Sequence, residues 1–370
     1  MADNEDFNMQ DIEQGSTVDV TDKKCPNCGA TVTYNPETLT MACDFCGYTR
    51  ELPKPDQGAT IEEIDFASAT IRSSKDWGSK MKSINCKNCG GETIYDDAET
   101  AACCPFCGST NVMPVDNDDD VMAPGGVVPF EISQDKAASL FQAWIKKKLF
   151  VPTAAKKSCA AKNFNGLYLP YWTYDTMTTS TYSARIGFEY KVKRGDGYET
   201  KVRWRNCWGI YDEFIDDQVV YASTKTTDPN IKKVSEFNFS KLRSYDPQFV
   251  AGFGAERYTL GLDDGWEEAK KLITDKLKGG IRKNIQQKYH PDRIESLNFS
   301  TAYDKVTFKY VLAPIWLANY KFNGKLFNLA VNGQTGKISG QAPVSPWKVA
   351  IAVAIAILAI IVICLLLGNS

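Results

Sequence analysis

Eight of the cysteines form two sets of four, and one set is the other displaced by 61 positions. Cys25, Cys28, Cys43 and Cys46 recur as Cys86, Cys89, Cys104 and Cys107. Each set reads C-x2-C, then fourteen residues, then C-x2-C, which is the spacing of a four-thiolate zinc ribbon. A C-x2-C turn puts two sulfurs on one side of a tight knuckle. A short hairpin then returns the second pair to complete the tetrahedron that Zn2+ accepts without strain. The repeat extends past the ligands: Asn27/Asn88, Gly29/Gly90, Tyr34/Tyr95, Phe45/Phe106, Gly47/Gly108 and Thr49/Thr110 match at the same offset. The glycine after each knuckle suits a backbone with positive φ. The pattern therefore predicts two structural Zn2+ ions and two small β modules.

Disulfides are the first rival reading. They need an oxidising compartment, and residues 1–21 are acidic and lack the apolar core of an export signal. A catalytic zinc is the second rival, but it keeps one coordination position open, whereas four thiolates close the shell. Cys103 stands beside Cys104, aligns with Ala42 in the repeat and reads as a bystander. Cys159, Cys207 and Cys364 are isolated and read as ordinary apolar side chains.

The other end of the chain is apolar. From Val349 to Leu367 there are nineteen residues without a charge, a rise of roughly 28 Å as a helix. Trp347 and Lys348 precede this run as interfacial anchors would, so 347–367 reads as a transmembrane tail anchor in contact with membrane lipids. With reduced thiolates, no export signal and Lys348 on the large side, the expectation is a single-pass protein of a bacterial plasma membrane. Its N-terminal bulk would be cytoplasmic.

Charge is unevenly distributed between these ends. Residues 1–126 carry 9 Lys+Arg against 23 Asp+Glu, and the remainder carries 34 against 22. Four thiolates around each zinc make the first part more acidic still. Phosphate backbones are bound mainly by cations, so acidic ribbons disfavour nucleic acid as a partner. Residues 1–20 read as a disordered acidic tail, 21–50 as zinc ribbon 1, 51–81 as a linker and 82–113 as zinc ribbon 2. An acidic and glycine-containing hinge, 114–126, leads into an α+β domain at 127–343.

Within that domain Ser133 caps a helix whose Ala137, Leu140, Phe141, Trp144 and Ile145 share one face. A second helix opens at Asp264 with Glu267 as a capping box, carries Trp266, Ala269, Leu272, Ile273 and Leu277, and is interrupted or ended at Gly279-Gly280. Each helix is followed by a Pro-x-Trp strand, at Pro170–Trp172 and Pro314–Trp316. Alternating aromatic and polar residues continue through Thr181–Tyr190, Lys201–Trp208 and Leu317–Val331. Helices on an antiparallel sheet, with a possible internal pseudo-duplication, is the fold class this implies.

Chemistry-bearing patterns are otherwise absent from the sequence. His290 is the sole histidine, which removes most acid–base and metallohydrolase schemes. His290-Pro291-Asp292 spells the J-domain tripeptide, but Val306–Tyr320 after it reads as strand where a J-domain needs a helix. No phosphate-binding glycine loop or nucleophile elbow occurs, and Asp116–Asp120 lacks the glycine and glutamate of an EF-hand. The chain reads as non-enzymatic.

The paired ribbons, VVPFEIS with FQAWIKKKLFVP, LYLPYWTYD, DKVTFKYVLAPIWLANYKFNGK and LAVNGQTGKISGQAP resemble the bacterial membrane-anchored "TFIIB-type zinc ribbon-containing" proteins over nearly the whole chain. Relatives in bacilli are associated with an SPFH-type, flotillin-like scaffold and a phage-shock protein A homologue. The resemblance implies a tail-anchored adaptor in envelope stress, whose ribbons Cys25–Cys46 and Cys86–Cys107 dock a cytosolic scaffold protein. Two other readings compete with it: a membrane-associated nucleic-acid binder using the ribbons, and a ligand sensor using an aromatic pocket near Trp172 and Trp316.

Overall fold

The computed structural model describes residues 24–52, 61, 63–68, 81–96, 103–115, 122–157, 164–225 and 228–368, without the side chains at 81, 96, 321, 362 and 365–368. The acidic tail 1–20, most of the linker 51–81, the aspartate run 116–120 and Cys159 lie outside these residues. Strands β1 (Thr33–Asn35), β2 (Thr40–Ala42) and β3 (Thr49–Glu51) form a three-stranded antiparallel sheet around the first cysteine set. The other strands join one mixed sheet. They are β4 (Ile64–Asp65), β5 (Met81–Cys86), β6 (Glu92–Asp96), β7 (Val112–Val115) and β8 (Gly126–Val127). After helix α1 (Gln134–Lys147) come the long strands β9 (Phe164–Arg194) and β10 (Gly197–Tyr221). Helix α2 (Pro229–Val234), β11 (Arg243–Ser244), β12 (Gly254–Glu256) and helix α3 (Leu262–Tyr289) follow. The chain continues as β13 (Arg293–Phe322), β14 (Lys325–Asn332), β15 (Ile338–Gly340) and helix α4 (Pro346–Gly368).

β9 organises the sheet. It is 31 residues long, roughly 100 Å of extended chain, and pairs antiparallel with β13 on one side and β10 on the other. From Leu167 to Thr176 every residue is buried, because both faces are covered. Side chains alternate between faces in a strand. Leu167, Leu169 and Tyr171 therefore meet Ile231 and Val234 of α2, while Tyr168, Trp172 and Tyr174 enter the larger core. Beyond Met177 only one face stays covered. Tyr182, Ala184 and Ile186 pack under Ile281 and Ile285 of α3, and the opposite face is open.

Helix α3 buries Ala269, Ile273, Leu277, Ile281 and Ile285 in a stripe of spacing four. It begins one turn earlier than the Asp264 capping box implies: its N-cap is Gly261, without a side-chain cap bond. It also runs straight through Gly279-Gly280. A Cβ at Gly280 would stand 2.5 Å from the Tyr211 hydroxyl, so this glycine is a close-approach position and not a stop. His290 closes the helix with φ +49° and its amide donates to the Gln286 carbonyl, so the His-Pro-Asp tripeptide is a helix end leading into β13. At the start of α1, Ser133 Oγ accepts from the Lys136 amide as its cap.

Two expectations are corrected. The fold is not two separate β ribbons followed by an α+β domain with helices on an antiparallel sheet. It is mostly one large mixed sheet with four helices among the described residues, and β5, β6 and β7 of the second ribbon belong to that sheet. The reason is hydrogen bonding: β6 pairs with β12, and β12 pairs in parallel with β9. The transmembrane tail anchor is also overturned. Among the described residues no helix is long and apolar enough to cross a membrane, which conflicts with a single-pass plasma-membrane protein with cytoplasmic bulk. Lys348 is no interfacial anchor either: its Nζ donates to the Val151 carbonyl at 2.8 Å, and the Ser345 amide donates to the Phe150 carbonyl.

The packing of α3 yields a direct test. Leu277→Ala should cost about 3 kcal/mol in urea denaturation, as a large-to-small change in a filled core. Leu272, placed on the same face by sequence periodicity, is 47% exposed, and its alanine variant should change stability by less than about 0.5 kcal/mol.

Candidate metal centres

The two cysteine sets are built by four copies of one knuckle. Each leading cysteine accepts, at its carbonyl, the amide of the glycine four residues on: Gly29, Gly47, Gly90 and Gly108, at 2.8–2.9 Å. All four glycines have φ between +69° and +74°, where any other residue would be strained. Each leading cysteine amide in turn donates across the knuckle, to the carbonyl of Ala30, Tyr48, Gly91 or Ser109. Two tight turns per ribbon bring the sulfurs together. Cys25 and Cys46 Sγ stand 3.4 Å apart and Cys28 and Cys43 Sγ 3.6 Å apart. In the second set Cys86–Cys107 and Cys89–Cys104 are both 3.6 Å apart.

Within each set all four sulfurs lie within 4.8 Å of one another. A tetrahedron of sulfurs with metal bonds of about 2.3 Å has edges of roughly 3.8 Å, so both sets fit a four-coordinate metal. Two metal ions could be held. Cys103, half-buried, stays out of the second set.

The electrostatics of the thiols agree with this. Burial raises Cys25, but the amides of Cys28 and Asn27 outweigh it and bring the thiol down to about 7. Cys86 behaves identically, with the amides of Cys89 and Asn88 lowering it to about 7. The repeat of Asn27 as Asn88 thus marks a backbone amide aimed at sulfur. Four of their neighbours, Cys28, Cys46, Cys89 and Cys104, are instead held above the ordinary thiol value. Cys46 rises to about 12: the Tyr48 amide lowers it, but the bonds from Cys25, Cys28 and Cys43 prevail. Burial carries Cys89 up to about 11 and pushes Cys104 upward as well.

The two ribbons are joined to the core differently. The second is continuous with the sheet, and a Cβ at Gly254 of β12 would meet the Tyr95 ring at 2.7 Å. Glu92, at the start of β6, accepts from Lys225 at 3.0 Å and from Asn85. The first ribbon docks by side chains. Tyr34 Oη donates to the Phe130 carbonyl at 3.1 Å, its amide donates to the Ala251 carbonyl, and its ring stacks edge-on against Phe249. Arg50 reaches Gln248, and Ser133 Oγ donates to Glu37 at 2.6 Å. A cleft of about 690 Å3 separates the ribbons, with Tyr34, Glu37, Tyr95, Cys103 and Asp135 on its walls and Trp316 at its floor.

The knuckle phenylalanines diverge. Phe106 packs against the apolar cluster of Leu317, Ile231 and Ala330 and lies over Gly91. Its repeat partner Phe45 is 84% exposed. Trp172 and Trp316, candidate walls of a ligand pocket, are buried. Their indole N–H groups donate to the Leu260 and Ile132 carbonyls, and Trp172 sits in a filled aromatic core with Tyr258, Phe308 and Tyr310.

One polar cluster was not anticipated from the sequence. Lys309 Nζ lies 3.1 Å from Asp217, 3.3 Å from Glu63 and 3.6 Å from Asp175, and Asp217 donates its amide to Asp175 at 2.6 Å. Bulges on both neighbouring strands, at Ile215/Gln218 and Asp304/Thr307, flank Asp175. Lys309 supplies the cation for these carboxylates, so the group acts as a clamp between β4 and the core. Its signal was a lysine inside the apolar run of β13.

No protein-family model matches the chain, and no solved structure matches it. The chain is similar to an uncharacterized protein, YdjG, of Bacillus subtilis (strain 168), at 28% identity over 333 residues, covering 88% of this chain and 91% of the relative.

Two outcomes are expected. Cys86→Ser should lose one metal equivalent and more than about 4 kcal/mol of global stability, because its ribbon is part of the sheet, whereas Cys25→Ser should chiefly expose 24–52 to protease. Metal analysis with denaturation and limited proteolysis checks both. Burial raises Asp175 to about 6, with the Asp217 amide opposing and Glu63 adding. A carboxyl raised above its unfolded value favours the fold when protonated. Its contribution is therefore full below about pH 4 and lost as pH rises through 6. Carbon-13 NMR should give a midpoint near 6, and wild type should lose stability relative to Asp175→Asn between these pH values.

Proposed function

We propose that the protein is a non-catalytic adaptor, stabilised by one structural Zn2+ in each four-cysteine cluster, that docks a scaffold protein through its first ribbon. Four thiolates in tetrahedral array suit zinc as well as iron, and the zinc-ribbon spacing of both sets favours zinc, which in such a shell supplies a redox-inert cross-link. Four cysteine sulfurs would complete the coordination shell of each ion and leave no open position for a substrate.

The observation that carries the docking role is the divergence of Phe45 and Phe106. Phe106 seats the second ribbon in an apolar cluster of this chain, while the equivalent Phe45 projects from the first ribbon into solvent, flanked by Asp44 and the exposed Cys46. A rigid aromatic held on a metal-fixed loop is the usual anchor of a protein interface. The resemblance to TFIIB-type zinc ribbon-containing proteins makes an SPFH-type or phage-shock protein A-like scaffold the partner of choice. If such a scaffold oligomerises, many modest contacts would sum to firm attachment.

The test is binding of a purified SPFH-type or phage-shock protein A-like scaffold to the zinc-loaded chain. Phe45→Asp should weaken it at least roughly tenfold without changing thermal stability or metal content. Equal affinity for wild type and variant would move the docking surface elsewhere.

A further inference from the structure

Strand β10 is an edge. Among the described residues it pairs with β9 alone, and from Gly197 to Ile215 its register is free of bulges and it contains no proline. Long flat edges with free amides and carbonyls template further pairing, which proteins ordinarily block. Here the edge is accompanied by an apolar ridge on the face that α3 leaves open. Trp208 is 74% exposed, Ile210 65% and Phe214 55%, with Met177 of β9 paired beside Phe214. Together they leave on the order of 500 Å2 of apolar surface in water, the upper range for one patch on a monomer.

The charges of β10 nearest its middle are segregated. Lys201, Arg203 and Arg205 precede Gly209, and Asp212, Glu213, Asp216 and Asp217 follow it, while Glu199 near the strand's start is paired with Arg194 of β9. A strand of this kind is complementary to itself when reversed. Gly209 lies midway: Trp208 and Ile210 flank it, Arg205 and Glu213 stand four residues to either side, and Trp204 and Phe214 stand five. A side chain at 209 is excluded, since its Cβ would meet the Tyr182 hydroxyl at 2.7 Å.

We propose that β10 pairs antiparallel with β10 of a second copy of this chain, about a two-fold axis through Gly209, joining two sheets into one. Trp208 then lies opposite Ile210 of the second copy, Trp204 opposite Phe214, and Arg205 opposite Glu213, each contact occurring twice as an isologous interface requires. Both α3 helices cover one face of the joined sheet, and the two aromatic ridges merge on the other. The edge left unpaired among the described residues of one chain is satisfied by the same edge of its copy.

Sedimentation velocity of the metal-loaded full chain tests this across low to high micromolar concentration. The expected result is a concentration-dependent dimer. Arg205→Glu and Glu213→Arg should each raise the dimer dissociation constant by roughly tenfold or more, and the double swap should restore it to within about threefold of wild type. Trp208→Lys, at a side chain 74% exposed, should be monomeric with an unchanged circular dichroism spectrum. A monomer at every concentration overturns the proposal. So does a dimer that tolerates Trp208→Lys, or charge variants whose swap restores nothing.

Discussion

The hydrogen-bonded path from Cys86 through β6 and β12 into β9 is the constraint on which the architecture depends. A ribbon of this size has too little core to hold itself, so its turns are fixed by whatever the four sulfurs bind. Here the strands of that ribbon are also strands of the main sheet. Thr93 and Ile94 pair with Glu256 and Ala255, and Ala255 pairs with Tyr168 of the longest strand. Closing the four-sulfur cluster and assembling the sheet's end are therefore coupled.

The first ribbon is the same module held by different attachments. Tyr34 keeps it on the core through a buried hydroxyl and an edge-on ring, and that contact fixes its position without any shared sheet. The apolar contact that its copy makes through Phe106 is left unmade at Phe45. Divergent anchoring of one repeated module seats the second ribbon in the sheet and leaves Phe45 of the first on the surface.

The cysteine clusters were legible in the sequence because their geometry is local. Two residues between ligands, a glycine next and an asparagine amide behind are enough to specify a knuckle, and all four knuckles close as the repeat implies. The sheet was less legible, because its continuity rests on pairings between residues such as Ile94 and Ala255 that no local pattern reports. Alternation revealed pieces of β9 and β10 but not their length, since Leu167–Thr176 is buried on both faces and does not alternate. The double glycine in α3 looked like a break because propensity penalises glycine, whereas Tyr211 beneath Gly280 makes that residue a packing requirement. Lys309 was hidden for a similar reason: a lysine in an apolar strand acquires meaning only from Glu63, Asp175 and Asp217, which come from three other segments. At the far end, composition favoured a membrane span, but the lysine meant to anchor it caps a carbonyl of the core instead.

X-ray absorption at the zinc edge, combined with metal quantification on the intact protein, tests the account most directly. Two zinc ions per chain, each surrounded by sulfur alone at about 2.3 Å, is the result predicted. A shell containing nitrogen or oxygen at about 2.0 Å, or fewer than two metals in a fully folded chain, would contradict it.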